Sequence, residues 1–258
     1  MKYKFSISIV SHGHKKYVKD LLLDLARLGR SDFDVILTLN LPEKLPLEIN
    51  SLPYNVIVIN NDFPKGFAAN HNAAFLMSQG DNFVILNPDI NIVSDPFDAM
   101  DSLLKLSPNA VCAPLIVNRE GKIEDSARNF PTPLFLLKKL FGKIFKYSLE
   151  NEVISGDEKV LAPDWVAGMF VVVPRDIYKK LQGLSERYHM YYEDVDFCAR
   201  ARMAGCDILV AKDASVIHEA QRDSHRKFRY MMWHLQSAIR FFTSSAYLRI
   251  RMQRSGWI

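Results

Sequence analysis

The sequence predicts an α/β fold in which helices flank a mostly parallel central sheet. Two patterns in the first half of the chain support this prediction. Short apolar runs with the length of strands end at polar or turn residues, and segments with apolar residues at helical spacing lie between them. Continuous apolar strands separated by helices are typical of a parallel sheet that is covered on both faces. Ligands of such sheets bind beyond the carboxyl ends of the strands, so the loops that follow the strands are where a site is expected.

The predicted elements alternate through the first half of the chain and become more mixed in the second. The predicted strands are residues 5–10, 34–39, 56–59, 83–86, 110–113, 165–173 and 207–211. The predicted helices are residues 17–28, 68–77, 176–181, 192–204 and 228–242. The sequence has no internal repeat, low-complexity tract or obvious linker. We therefore predict a single domain over residues 1–258, with a basic C-terminal helical tail from about residue 226.

Composition is that of an ordinary globular protein. The 258 residues are 48% hydrophobic and 24% charged, which allows a substantial core. No stretch approaches the roughly 18–20 uncharged apolar residues that cross a bilayer, and the first residues lack the apolar core of a signal peptide. We therefore expect a cytoplasmic protein. Cys112, Cys198 and Cys206 have no metal-binding spacing, so we expect reduced thiols packed as small hydrophobic groups.

Charge is distributed unevenly along the chain. The formal net charge is +4. From Arg222 to the end, eight Lys or Arg residues and one Asp give a charge of +7, which leaves −3 on the preceding residues. A basic tail on a slightly acidic body indicates an anionic partner, such as phospholipid head groups or a pyrophosphate.

Asp89 is the first candidate for chemistry. Pro88 cannot continue a central strand, so the chain must turn after Leu86 and present Asp89 at the carboxyl edge of the sheet. A lone carboxylate in that place suits a divalent cation that is otherwise bound by water and substrate phosphates, as Mg²⁺ or Mn²⁺ often is. From the local residues alone, a strand-end turn in which Asp89 caps the next segment is an equally open interpretation.

A second acidic group lies at the start of a predicted helix. Glu193, Asp194 and Asp196 fall within four residues, and the helix dipole favours acids there whatever their function. The preceding residues 188–192 form a largely aromatic run that is suited to lining a sugar pocket. A carboxylate in a partly desolvated site accepts a proton from an acceptor hydroxyl. The local sequence leaves the structural and the functional interpretation open.

Histidines follow two of the predicted strands. His218 comes after the strand that ends near residue 211 and is a candidate to complete a metal site with Asp89, although a single histidine is often structural. Arg222, four residues later, is a candidate to contact a phosphate. His12 and His14 follow the first strand and are interpreted as polar loop residues.

Six short motifs occur in order over about residues 5–242. They are residues 66–72 (GFAANHN), 86–89 (LNPD), 126–131 (SARNFP), 165–168 (WVAG), 190–198 (MYYEDVDFC) and His218. This series resembles the GT-A glycosyltransferases of family 2, and within it the rhamnosyltransferase-like enzymes of O-antigen and polysaccharide biosynthesis. The order and spacing of the motifs carry the resemblance, because each motif is weak by itself.

The resemblance implies an inverting, metal-dependent glycosyltransferase. Asp194 would be the catalytic base, and Asp89 and His218 would bind Mg²⁺ or Mn²⁺. The residues that it implies at the donor are Ser11, Gly66, Asn70, Asn72, Asn87, Arg128, Trp165 and Glu193. It further implies a nucleotide-diphosphate sugar as donor, a hydroxyl of a lipid-linked glycan or polysaccharide as acceptor, and no nucleic acid partner.

The donor is expected to be TDP-rhamnose, but the first loops depart from the family pattern. Residues 11–14 read Ser-His-Gly-His, where relatives commonly have an aromatic residue and an asparagine. The strand that ends at Asn40 is followed by Leu41-Pro42-Glu43, without the usual aspartate. UDP- and GDP-sugars therefore stay open as donors.

Two basic segments predict contact with a membrane. Residues 134–147 read as a helix with apolar residues on one arc and lysines toward the other, which is typical of a helix in an anionic interface. An ordinary amphipathic helix packed on the domain is the alternative. Arg249, Arg251 and Arg254 are interleaved with apolar residues and indicate a second contact. We therefore expect a peripheral protein at the inner face of the plasma membrane.

Three other functions are weighed against this one. A nucleotidyltransferase would need a glycine-rich first loop with Arg and Lys, which residues 11–14 do not supply. A dinucleotide oxidoreductase is disfavoured because no GxGxxG follows the first strand. A non-catalytic nucleotide- or glycan-binding scaffold of the same fold stays an alternative, although the presence of Asp89, Asp194 and His218 argues against it.

Overall fold

A computed structural model describes residues 3–45, 47–134, 158–218 and 227–254 of the protein. Its strands are β1 (Phe5–Ser11), β2 (Phe33–Leu39), β3 (Val56–Asn60), β4 (Asn82–Leu86), β5 (Ile90–Asn91), β6 (Val111–Val117), β7 (Ala127–Arg128), β8 (Val160–Leu161), β9 (Trp165–Val166), β10 (Phe170–Pro174) and β11 (Ile208–His218). Its helices include α1 (Lys15–Arg27), α2 (Phe67–Met77), α3 (Phe97–Leu106), α4 (Arg175–Lys180), α5 (Glu193–Met203), α6 (Lys227–Phe242) and α7 (Ser245–Arg254). A short 3-10 helix covers Ile49–Ser51.

The first half of the chain forms a parallel sheet with the order β3-β2-β1-β4. Phe5 of β1 pairs with Phe33 of β2 on one side and with Asn82 of β4 on the other. These strands consist almost entirely of apolar or small residues, and β1, β2 and β4 are buried along nearly their whole length. Their carboxyl ends therefore meet at one edge, as the sequence predicts.

The second half completes the sheet with strands of both directions. β10 runs antiparallel to both β4 and β6, and β11 is parallel to β6 but antiparallel to β5 and β8. The resulting order is β3-β2-β1-β4-β10-β6-β11-β5. The α/β fold is thus confirmed, with a sheet that is parallel in its first half and mixed beyond β4.

Helices cover both faces of this sheet. On one face, Leu21 and Leu25 of α1 and Phe97 of α3 join a buried cluster with the underside of β1, β2 and β4. On the other face, a second cluster includes Tyr178 of α4 and Phe197 of α5, with residues of α2, α6 and α7. Burying apolar faces on both sides of the strands is the arrangement that continuous apolar strands predict.

Three details differ from the sequence-based prediction. The strand predicted at 165–173 is two strands, β9 and β10, because the chain turns at Ala167, whose carbonyl accepts a hydrogen bond from the N–H of Met169 (2.7 Å). Helix α3 was not predicted, although Phe97, Met100 and Leu103 have helical spacing and are buried. β11 extends to His218, well past the predicted end at residue 211, through an irregularity between Ala211 and Ser215.

The remaining predictions on this level concern the cysteines and the membrane segments. All three cysteines are free and buried, as predicted. The basic helix predicted at 134–147 lies outside the described residues except for residue 134. Arg222, which was predicted to contact a phosphate, also lies outside them. Within the described ranges, no helix combines the length and the apolar character needed to cross a membrane.

Candidate active site

Asp89, His218 and Glu124 form a cluster at the carboxyl edge of the sheet. His218 at the end of β11 pairs with Ile90 of β5, which places its imidazole beside the turn that carries Asp89. The distance from His218 Nε2 to Asp89 Oδ2 is 3.5 Å, and the distance from His218 Nδ1 to Glu124 Oε2 is 2.6 Å. Glu124 reaches this position because its N–H donates to the carbonyl of Ile116 in β6, the neighbour of β11.

The two carboxylates determine the pKa of His218 and the position of its proton. Burial by itself lowers the pKa of His218, but the interactions with Asp89 and Glu124 outweigh it and raise the pKa above the ordinary histidine value. When Nδ1 donates its proton to Glu124, Nε2 presents a lone pair toward Asp89. An imidazole nitrogen oriented by a carboxylate is a common arrangement at protein metal sites.

The donor atoms of this cluster fit a divalent cation that is shared with a substrate. Asp89 offers carboxylate oxygen and His218 offers imidazole nitrogen, both partly buried. No group of three or more His, Cys, Asp or Glu side chains in residues 3–45, 47–134, 158–218 and 227–254 is arranged to hold a metal ion. Two protein ligands leave most coordination positions to water and phosphate oxygens, which is how Mg²⁺ is usually bound at nucleotide sites.

Asp194 lies in the first turn of α5, at the centre of a second cluster. Its Oδ2 accepts a hydrogen bond from the N–H of Gly168 (3.1 Å), and its Oδ1 accepts one from the N–H of Val195 (2.8 Å). The turn between β9 and β10 therefore directs the Gly168 N–H at this carboxylate. Tyr191 and Tyr192, just before α5, both have a left-handed backbone with φ of 68°, which is rare for aromatic residues.

Glu193 and Asp194 are neighbouring carboxyl groups with perturbed pKa values. Burial, and then the charge of Asp194, raise the pKa of Glu193 to about 8. Burial also raises the pKa of Asp194, while the N–H groups of Gly168 and Val195 and the charge of Arg128 oppose that shift. Glu193 is buried, and its Oε2 has no hydrogen-bond partner among the residues that the structure describes. A pair with raised pKa values is suited to accepting and holding protons near neutral pH.

Arg128 and Trp165 lie side by side next to this pair. They face each other in the two-stranded sheet of β7 and β9. The guanidinium carbon of Arg128 is 5.4 Å from the centroid of the Trp165 ring, and the side chain also forms an ion pair with Asp125. The indole N–H of Trp165 donates to the carbonyl of Asn129 (3.0 Å). Trp165 is buried and Arg128 is half-buried, so Arg128 is the member of this pair that is suited to meeting a sugar or a phosphate.

A network of asparagine side chains shapes the loop before α2. Asn61 Nδ2 donates to Asn40 Oδ1 (2.8 Å) and to Asn70 Oδ1 (2.7 Å). Asn40 also binds both the N–H and the carbonyl of Lys65. Gly66 then begins α2 so close to the aromatic loop that a Cβ would lie 3.1 Å from the carbonyl oxygen of His189. These contacts hold the loop at 61–66 in place next to the aromatic loop that leads into the Asp194 cluster.

Comparisons with known proteins show which proteins the chain is similar to. The rhamnosyltransferase WbbL of Escherichia coli strain K12 is 28% identical over 255 residues, which cover 95% of each chain. The N-acetylglucosaminyl-diphospho-decaprenol L-rhamnosyltransferase of Mycobacterium tuberculosis is 26% identical over 181 residues, which are 67% of this chain and 56% of that enzyme. Mannosyltransferase PcManGT from Pyrobaculum calidifontis, solved with GDP-Man and Mn²⁺, superposes with a TM-score of 0.63 at 13% identity, over 93% of this chain and 65% of that chain. No family model matches the chain.

This chain is a GT-A-fold relative of the rhamnosyltransferases. The resemblance inferred from the six motifs is thereby confirmed, because the chain is similar in sequence to rhamnosyltransferases and shares the fold of GT-A glycosyltransferases.

Three of the residues expected at the donor of this glycosyltransferase relative make internal hydrogen bonds. Asn70 is buried, and its amide nitrogen donates to the carbonyls of Lys65 and Gly66. Asn72 binds both the N–H and the carbonyl of Leu184. Ser11 is buried at the end of β1. The side chains of these three residues are thus engaged within the protein itself, at the loops around the two clusters.

Two clusters thus contain the expected metal ligands, the expected base and three of the residues expected at the donor. Asp89 and His218 lie together, as do Asp194, Glu193, Arg128 and Trp165, which are joined through the turn at Gly168. Asn87 lies between the clusters, since its N–H donates to the carbonyl of Met169 (2.8 Å).

Sequence reasoning missed Glu124, which is 94 positions away from His218. Its only signal was a carboxylate two residues before the motif at 126–131. It also treated Asn40 and Asn61 only as parts of atypical loops, although their amides hold the loop at 61–66 in place.

Proposed function

We propose that the protein is an inverting glycosyltransferase that moves a sugar from a nucleotide-diphosphate sugar to a hydroxyl of a lipid-linked glycan or polysaccharide. The observation that carries this proposal is the Asp194 carboxylate, held by two backbone N–H groups beside Arg128 and Trp165. A fixed carboxylate with a raised pKa is what a general base for an alcohol requires.

In the proposed reaction, Asp194 takes the proton from the acceptor hydroxyl while the acceptor oxygen attacks the anomeric carbon of the donor. The new C–O bond forms as the bond to the diphosphate oxygen breaks, and the nucleoside diphosphate leaves with that electron pair. Attack from the face opposite the leaving group inverts the anomeric configuration. The positive charge that develops on the sugar ring resembles that of other glycosyl transfers.

Asp89 and His218 are the residues that would hold Mg²⁺ or Mn²⁺. Such an ion neutralises the negative charge that builds on a departing diphosphate. Glu124 would keep the Nε2 lone pair of His218 directed at the ion. The mannosyltransferase PcManGT, which shares the fold, is solved with Mn²⁺, and this supports use of a divalent ion.

Rhamnose is the proposed donor sugar, because two of the relatives are named rhamnosyltransferases. TDP is the proposed carrier nucleotide, as the resemblance of the motifs implies. The proposed donor surroundings are Ser11, Gly66, Asn70, Asn72, Asn87, Arg128, Trp165 and Glu193. The amides of Asn70 and Asn72 would act by holding the loops, Arg128 by direct contact, and Trp165 by supporting the Arg128 guanidinium with its ring. UDP- and GDP-sugars are the competing donors, and GDP-Man is the nucleotide sugar bound by PcManGT.

The proposed place of action is the inner face of the plasma membrane. The mycobacterial relative is named for an acceptor linked to decaprenol through a diphosphate. An acceptor of that kind is anchored in a bilayer, so a peripheral protein must meet it at the membrane surface.

A thermal-shift panel tests the donor and the metal together. TDP, UDP, GDP and CDP are each added with Mg²⁺, Mn²⁺ or EDTA. A ligand that binds the folded state at about 100 times its Kd adds about 2.7 kcal/mol. We expect stabilisation by TDP that EDTA abolishes. Asp89→Asn should remove the metal-dependent part, while Asp213→Asn, at an exposed aspartate, should leave it unchanged.

The second measurement is transfer from TDP-rhamnose to a polyprenyl-diphosphate-linked N-acetylglucosamine, with the anomeric configuration of the product read by NMR. An inverted product supports the proposal. Nucleotide binding without any transfer would favour the non-catalytic scaffold, and absence of a shift with every diphosphate would contradict the proposed donor site.

A further inference from the structure

Helix α6 has two faces with different surroundings. Met231, Leu235 and Ile239 follow one another at intervals of four residues, and each is more than half exposed. Met232, next to Met231, is also exposed. At 100° per residue these four side chains share an arc of about 100° on one face of the helix. Exposed apolar residues that are contiguous in this way indicate an interaction surface. We call these four residues the outer face of α6.

The opposite face of α6 packs on the loop that leads into the Asp194 cluster. The ring centroids of Trp233 and His189 are 4.7 Å apart, and those of His234 and Tyr192 are 5.3 Å apart. Ser237 Oγ donates to the carbonyl of Met190 (2.9 Å). The outer face and the aromatic loop therefore lie on two sides of one helix, separated by about the 10–12 Å diameter of a helix with its side chains.

Charge indicates which partner the outer face meets. Residues 227–254, which form α6 and α7, contain six Lys or Arg and no Asp or Glu. Arg240, Arg249 and Arg251 have exposed side chains in this segment. An apolar helix face in a purely basic segment matches the two attractions of an anionic bilayer, which are apolar burial at the acyl boundary and charge at the head groups.

We propose that the outer face of α6 docks on an anionic lipid bilayer. This inference rests on the proposed function for its purpose, since docking there holds the Asp194 site about one helix diameter from the surface where a lipid-linked acceptor lies. α7, which follows α6 directly, adds an exposed apolar side chain, Leu248, and the exposed side chains of Arg249 and Arg251 to the same basic segment. Salt weakens the contact, because part of the attraction is between opposite charges at a surface.

The test is cosedimentation of the full chain with lipid vesicles, which requires neither donor nor acceptor. Vesicles of phosphatidylcholine alone are compared with an equimolar mixture of phosphatidylglycerol and phosphatidylcholine. We expect binding to the phosphatidylglycerol vesicles only, and release by salt. The double substitution Leu235→Gln and Ile239→Gln should weaken binding roughly tenfold or more, because two large apolar side chains no longer enter the interface.

Leu106→Gln is the matched control, since Leu106 is an exposed leucine at the end of α3, outside the basic segment. It should leave vesicle binding unchanged. Equal loss in both variants, or equal binding to the two vesicle types, would overturn the proposal. So would a wild-type dimer in size-exclusion chromatography with light scattering that the α6 double variant converts to a monomer, because a second copy would then cover the outer face.

The failure of this inference is distinguishable from failure of the proposed function. The double variant should retain the wild-type thermal shift with TDP and metal, because the outer face is not part of either site cluster. It should transfer rhamnose normally to a detergent-solubilised acceptor and poorly to the same acceptor in phosphatidylglycerol vesicles. Equal transfer in both settings would overturn the docking proposal and leave the transferase proposal intact.

Discussion

The two halves of the site are built in different ways. The Asp89 cluster is positioned by strand pairing, since the register of β5 against β11 sets His218 beside Asp89. The Asp194 cluster is positioned by turns, by the first turn of α5 and by the packing of α6, and two consecutive tyrosines take a left-handed backbone in it. Sheet register tolerates little movement, whereas loops are the elements that change shape with a ligand. We call the Asp89 cluster the metal side and the Asp194 cluster the base side. We infer that the metal side is rigid, and that the geometry of the base side depends on the loops and helices packed against it.

The largest effect is expected from Asp194→Asn, which attacks the base side directly. The amide keeps nearly the same volume but cannot accept the proton of the acceptor hydroxyl, so kcat should fall by about 10²–10⁴-fold. Metal-dependent nucleotide stabilisation should stay near the wild-type value, because that side is held by the sheet. Transfer by Asp194→Asn at a rate near that of the wild type would disprove the assignment of the base.

Glu124→Gln tests the metal side and should have the next largest effect. Gln still accepts a hydrogen bond from His218 Nδ1 but lacks the charge that orients and polarises the imidazole. Loss of such a partner typically costs about 10–100-fold in metal affinity. Titration of Mn²⁺ in the presence of TDP, followed by thermal shift, measures this. An unchanged apparent metal affinity would show that Glu124 has only a structural role and does not orient His218 for a metal ion.

The third prediction concerns pH and the Glu193–Asp194 pair. Because burial raises both pKa values, and that of Glu193 to about 8, the base form is lost as pH falls through the raised values. We therefore expect kcat/KM to decline on the acid side at a higher pH than an ordinary aspartate would give. Glu193 is itself neutral below about pH 8, and burial is the main cause of the raised pKa of Asp194. Glu193→Gln should therefore leave the acid limb where it is, with a change below about tenfold in rate at neutral pH.

The same pair makes a linked prediction about stability. The pKa of Glu193 is higher in the folded chain than the unfolded value of 4.5. Its contribution to stability is therefore fully present below that value and is lost as pH rises through about 8. Thermal melts across pH should show that Glu193→Gln becomes stabilising relative to the wild type at alkaline pH. A melting temperature of the variant that follows the wild type at every pH would remove Glu193 from this role.

The smallest effect is expected from Trp233→Ala, which weakens the packing of α6 against the loop that leads into the Asp194 cluster. The substitution removes the ring contact with His189, and such contacts contribute about 0.5–1.5 kcal/mol beyond the area they bury. We expect a lower melting temperature and a several-fold lower kcat, with the metal titration unchanged. A weaker metal response in this variant would show that the two halves are coupled, contrary to the comparison.

Much of the fold was predictable from local pattern. The strands that end at Ser11, Leu39, Asn60 and Leu86 were each predicted within one residue, because buried parallel strands are continuous apolar runs. The turn at Ala167 was not predicted, since the apolar residues on both sides of it continue the strand pattern. The turn is explained by a long-range contact, since it directs the N–H of Gly168 at Asp194, 26 positions away.

By itself, the sequence determined the α/β class, the positions of the first strands along the chain, and Asp89, Asp194 and His218 as candidate site residues. Those features depend on periodicity and on turn residues, which act over a few positions. Only the tertiary structure decided that Glu124 orients His218, that Asn61 joins Asn40 to Asn70, and that α6 supports the loop before Asp194 on one face while exposing apolar residues on the other. Each of these depends on which strands and helices become neighbours, and the long-range packing of the core decides that.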